Sequence, residues 1–227
     1  MQNDNLAEVK RIYFKQTLES CILVILAAPI YIALAVSIGL AINNADVGIY
    51  SSEVIVIPLM CLKSISKNKE DMYEICSLLF DDCDPQAFLA FTHDGIEYYK
   101  KNKKPLQYHT YSLFQFAYLV ALSNNQMFEE ALEYLYTEPI FKRKLYQKVF
   151  KLYEANLIIN QAIANDDAEL AKSIYKSALK DNINFKSIYP KTLILVLDEK
   201  WQEVIDLVSQ HNATNNFEIV IDNYYLA

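Results

Sequence analysis

The stretch CILVILAAPIYIALAVSIGLAI, residues 21–42, holds no charged side chain in twenty-two positions. As a helix it would rise roughly 33 Å, enough to cross a hydrocarbon core of about 30 Å. A secretory signal peptide has a shorter apolar core, about 7–15 residues. A membrane span is therefore the reading that organises the chain. Gly39-Leu40-Ala41 resembles a small-x-small cleavage site, so removal of the segment stands as the alternative. Pro29 lies inside the span, where neighbouring helices or local adjustment can satisfy the carbonyl it frees.

Working outward, residues 1–20 are expected to be a cytoplasmic N-terminal helix running into the membrane, with Ala7, Ile12, Phe14 and Leu18 as its apolar members. Its weak amphipathic order argues against a separate role on the membrane surface. Downstream, residues 47–62 form a second, weaker apolar stretch interrupted by Glu53 and Pro58. Lys10, Arg11 and Lys15 precede the pair, and Lys63, Lys67 and Lys69 follow it. The connection between carries Asp46 and Glu53 with no basic residue. Cytoplasmic flanks collect Lys and Arg. This predicts a transmembrane hairpin over 21–62, with residues 63–227 in the cytoplasm at the cell membrane. The alternative is a single span over 21–42, residues 54–62 in the soluble core, and an extracellular body.

The body reads as helical. The chain has three glycines in 227 residues, and all-β folds consume glycine in turns. Helices are expected over 70–80, from the Asp84-Pro85 start signal to the lysine run at 100–104, and over 105–123, 127–136, 141–163, 168–179, 185–197, 199–209 and 216–225. From Lys63 onward there are 18 basic residues (21 less 3) against 23 acidic (28 less 5), a net −5. That balance argues against nucleic acid as a partner. Cys21, Cys61, Cys76 and Cys83 form no CxxC, and reduced thiols are the simplest reading.

Three segments align after polar breaks: Met127 to Leu132, Asp167 to Lys172, and Lys200 to Ile205. Each puts a small or β-branched residue (Ala131, Ala171, Val204) where two helices must approach closely, at spacings of 40 and 33. This resembles the second-helix signature of tetratricopeptide repeats, which recur near 34 residues. The family's glycine in the first helix is replaced by Leu119, Ile159 and Thr192. The order of the whole chain resembles a group of uncharacterised membrane-anchored repeat proteins of low-GC Gram-positive bacteria. It has a hydrophobic hairpin, then a helix ending in the turn Asp82-Cys83-Asp84-Pro85, then degenerate repeats. The expected fold is all-α, a transmembrane helix or hairpin followed by an α-solenoid of degenerate hairpins.

No motif points to catalysis, a metal or a cofactor. His93, His109 and His211 make no zinc-binding pair. A thiol set of Cys83, His93 and Asp94 reads better as a turn residue and two helix-surface groups. Glu129-Glu130 and Asp166-Asp167 sit at helix starts, where anions favour the helix dipole. The chain is expected not to be an enzyme. In repeats of the resembled kind the first helices line a concave groove, which places Tyr153, Asn156, Asn160 and Ile163 as candidate contacts for a peptide or helix. The same residues also suit ordinary packing. The aromatic run Tyr108, Tyr111, Phe114, Phe116 and Tyr118 reads first as core. Lys100, Lys101, Lys103 and Lys104 are candidates for contact with the lipid bilayer, or solvated helix-end charges. The expected role is a membrane-tethered protein-interaction scaffold or adaptor, the alternative an accessory subunit of a transport or secretion complex.

Overall fold

The computed structural model describes residues 2–42, 46, 49, 70–104, 107–183, 185 and 187–226. Among them there is helix and no strand. The helices are α1 (Gln2–Ile42), α2 (70–80), α3 (Pro85–Asn102), α4 (Tyr108–Asn124), α5 (Phe128–Thr137), α6 (Gln147–Ala164), α7 (Ala168–Lys180), α8 (Tyr189–Leu197), α9 (Trp201–Ser209) and α10 (Asn216–Leu226). Apart from Ile49, the expected second limb at 47–62 lies outside the described residues, as does the linker at 63–69.

Helix α1 runs unbroken through 41 residues and through Pro29. Its Asn5–Ile38 portion is long and apolar enough to cross a membrane. Ile22, Ile25, Leu26, Ile30, Ile32, Val36 and Leu40 are all exposed, as a lipid-facing surface requires. Residues 2–20 are the first part of the same helix, and they pack into a core. Val9, Ile12, Tyr13 and Gln16 are buried, while Phe14 and Leu18 are exposed. The buried set falls at i, i+3, i+4 and i+7, one helical face. Of the expected apolar members, Ile12 is buried, whereas Ala7, Phe14 and Leu18 are exposed, and Val9, Tyr13 and Gln16 complete the packed face.

The chain divides into two compact units. The first comprises the described residues of Met1–Ile75 and His93–Phe114. Tyr13 is its centre. Its ring stacks on Phe114 at 5.4 Å and meets Tyr98 at 5.2 Å, and its hydroxyl donates to the Gly95 carbonyl at 3.1 Å. Gly95 is needed for that approach, since a Cβ there would stand 2.2 Å from the Phe114 ring. Thr110 donates its hydroxyl hydrogen to Gln16 Oε1. Glu74 on α2 takes both Arg11 (3.0 Å) and Lys15 (2.7 Å).

The second unit comprises the described residues of Cys76–Thr92 and Gln115–Ala227. Here α5 to α10 pack each on the next in chain order. The turns α4–α5, α6–α7 and α8–α9 share one geometry. Gln126, Asp166 and Glu199 are left-handed, with φ of 59°, 57° and 57°. Met127, Asp167 and Lys200 then donate their amides back to the carbonyls of Leu122 (3.0 Å), Ala162 (2.8 Å) and Leu195 (2.9 Å). A left-handed residue followed by this long backward bond is the Schellman ending of a helix. Four residues beyond each donor, Ala131, Ala171 and Val204 are buried in the hairpin contact. Leu119, Ile159 and Thr192 are buried at the matching place in the first helices. The three-segment alignment therefore corresponds to three turns of one geometry.

Two helix starts differ from expectation. The long helix expected from 141 begins at Gln147, after turns and a 3₁₀ turn at Lys144–Tyr146. Phe141 is instead buried in the core cluster with Leu135 and Leu157, which holds the connecting backbone out of helix. Helix α8 starts at Tyr189 rather than 185, because Pro190 fits the first helical turn, where its missing amide costs nothing. Elsewhere Asp84 caps as expected: Ala87 donates its amide to Asp84 Oδ1 at 2.9 Å.

Candidate functional site

Helix α6 carries the four residues expected to line a groove. Tyr153 and Ile163 are half-buried and belong to cores. Tyr153 packs against the cluster around Leu119 and Phe141, its ring 6.4 Å from Phe116. Ile163 packs with Ile159, Ala162 and Ala171. Burial pushes the Tyr153 hydroxyl up to about 12, with Cys76 nearby adding to the effect. Burial likewise pushes the Cys76 thiol up to about 12, far from the thiolate a nucleophile needs. Cys83 is a left-handed turn residue (φ 53°).

Between the two packed residues stand Asn156 and Asn160, both half-buried. Among the described residues neither side chain has a hydrogen-bond partner. Their four-residue spacing puts the two amides on one face. Each offers a donor pair and an acceptor, the complement of an extended backbone. Aromatic neighbours are fixed around this line: Phe116 meets Phe141 at 5.0 Å and Tyr146 at 5.2 Å, both edge to face. Of the aromatic run of α4, Phe114 is core in the first unit and Phe116 and Tyr118 pack against the core of the second, whereas Tyr108 is exposed.

A further cluster escaped the sequence reading. Asp222 on α10 is buried, and its Oδ2 lies 2.8 Å from His211 Nδ1. Its other oxygen accepts from the Tyr189 hydroxyl at 3.1 Å. Burial, reinforced by the Asp222 charge, raises the Tyr189 hydroxyl well above its ordinary value. The three residues stand 22 and 11 positions apart, so no local spacing announces them. The trio joins α8, the α9–α10 connection and α10. The set is a clasp on α10: two hydrogen bonds hold one carboxylate from two sides.

Lys100, Lys101, Lys103 and Lys104 are all exposed at the end of α3. Lys100 pairs with Glu97 at 3.3 Å. Among the described residues the other three have no carboxylate partner. No family model matches the chain, and no curated protein or solved structure matches it.

Proposed function

We propose that the chain is a membrane-tethered, non-enzymatic interaction scaffold. A short solenoid of tetratricopeptide-like hairpins would present the Asn156–Asn160 face of α6 to an extended peptide or a partner helix. The observation that carries this is the pair of half-buried amides without partners between the packed side chains of Tyr153 and Ile163. Both amides remain within reach of solvent and are not tied up inside the fold, so a ligand backbone can bond them directly. The shared geometry of the three turns supports the repeat reading, although their spacings of 40 and 33 differ. Helix α1 supports the tether. The basic residues on both sides of 21–62 support a hairpin with the body on the cytoplasmic side. Tethering raises the local concentration of the binding face for partners at the same membrane.

The test is crosslinking and affinity capture of the full-length protein from its native membrane, beside the double variant Asn156→Ala/Asn160→Ala. A partner captured by the natural chain and lost with the double variant, at equal expression and helicity, supports the reading. Equal capture by both removes α6 as the binding element.

A further inference from the structure

Unit 1 has a polarity along α1 that the lysine run shares. Tyr13 meets Phe114, and three residues further along α1 Gln16 meets Thr110, four residues earlier on α4. Helix α4 therefore runs antiparallel to α1, and its start points the way the apolar span leaves. Helix α3 runs the other way beside α4, because Gly95 faces Phe114 and Tyr99 stacks on Tyr111 at 4.0 Å. The end of α3 and the start of α4 then lie at the end of the unit from which the apolar stretch leaves.

The levels can be set from helix rise. From Gln16 to Cys21, where the charge-free stretch begins, is five residues, or roughly 7.5 Å along α1. From Thr110 back to Tyr108, the first residue of α4, is roughly 3 Å in the same direction, and the lysines precede it. Lysine stems can reach the remaining distance. Helix α1 carries this arrangement into the apolar stretch without a break.

The chemistry of this end matches a bilayer surface of negative charge. Lys101, Lys103 and Lys104 are exposed without carboxylate partners among the described residues, and Lys100 pairs with Glu97 at 3.3 Å. Tyr108 is exposed beside them, with its ring 6.4 Å from Tyr111. Tyrosines and lysines at the mouth of a span are the side chains that sit among headgroups. Resting on the membrane reading of α1, we propose that Lys101, Lys103, Lys104 and Tyr108 form a headgroup-contacting collar that seats unit 1 on an anionic leaflet.

The experiment uses the full-length protein in vesicles of phosphatidylcholine alone or with about one-third phosphatidylglycerol. Lysines are acylated and the rate at each position is read by mass spectrometry, relative to exposed Lys151 and Lys180 of unit 2. The collar predicts at least threefold slower acylation of Lys101, Lys103 and Lys104 in the phosphatidylglycerol vesicles. About 0.5 M salt should remove the difference, because it shortens the screening length to a few ångströms. Equal relative rates in the two vesicles, or equal slowing of all lysines, overturn the collar. Extraction by alkaline carbonate is scored on the same samples. A chain that stays in the membrane with unprotected lysines refutes the collar alone, while a chain that is extracted refutes the span and the collar together.

Discussion

The Tyr189 hydroxyl donates to Asp222 Oδ1 at 3.1 Å across 33 residues of chain, while His211 holds the other oxygen of the same carboxylate. This ties the last helix, α10, to α8. A hydrogen bond to a charged group contributes about 1.5–3 kcal/mol. Tyr189→Phe should remove one such bond, and α10 amides should then exchange with solvent roughly tenfold faster, the ratio expected for about 1.4 kcal/mol. Amides of α6 should change little. Hydrogen exchange read by mass spectrometry checks this, and an unchanged α10 would show that the helix is held by packing of Tyr225 rather than by the clasp.

Gln126 and Glu199 hold left-handed backbone at exposed turn ends without using glycine. A Cβ in this conformation costs roughly 1–2 kcal/mol. Gln126→Gly and Glu199→Gly should each raise stability by about 0.5–1 kcal/mol, after the added freedom of the unfolded chain is subtracted. Gln126→Val should lower it, since β-branched residues tolerate this region least. Denaturant midpoints at unchanged slope measure both, and opposite signs for glycine would show that the side chains supply contacts at the turns.

Gly95→Ala places a methyl 2.2 Å from the Phe114 ring and should cost about 1–3 kcal/mol by overpacking. Phe114→Leu alone should also destabilise, by loss of ring contacts with Tyr13. The double variant should be more stable than the sum of the two losses predicts, because the smaller side chain frees the space the methyl needs. Additivity within about 0.3–0.5 kcal/mol would mean the two sites relax independently.

Tyr136 and Tyr153 are both pushed up to about 12, Tyr136 mainly by its hydrogen bond to Glu154 and Tyr153 by burial. Their folded values exceed the unfolded value of about 10, so the stability they contribute is complete below pH 10 and falls as pH rises toward 12. Absorbance at the tyrosinate band should show a late-titrating group in the folded protein that disappears in denaturant. Tyr153→Phe should reduce its amplitude and flatten the alkaline loss of stability. A single transition near pH 10 in the folded protein would contradict the burial of Tyr153.

Much of the helical architecture was legible because it is written at short range. The Asp84-Pro85 start, the lysine stop after α3 and the three aligned turns depend on residues within one or two helical turns of each other. The start of α6 was misplaced because Phe141 is captured by a core built from α4 and α5. The candidate site was half legible. Asn156 and Asn160 could be placed on one face from their spacing. That Tyr153 and Ile163 would be taken up by cores depends on Phe116, Phe141 and Ala171, which periodicity does not locate.

The sequence by itself determined that the chain is helical, that residues 21–42 form a segment able to cross a membrane, and where three hairpins turn. Each follows from local composition: few glycines, an uncharged run, and polar breaks before small residues. Only the tertiary structure decided that residues 2–20 of α1 pack into a unit around Tyr13. It also decided that Gly95 is fixed by Phe114, and that Tyr189, His211 and Asp222 meet. The physical reason is the same for all three. Burial and buried hydrogen bonds depend on which distant side chains arrive together, and nothing in local spacing encodes the arrival of Tyr13 against Gly95 or of Asp222 against Tyr189.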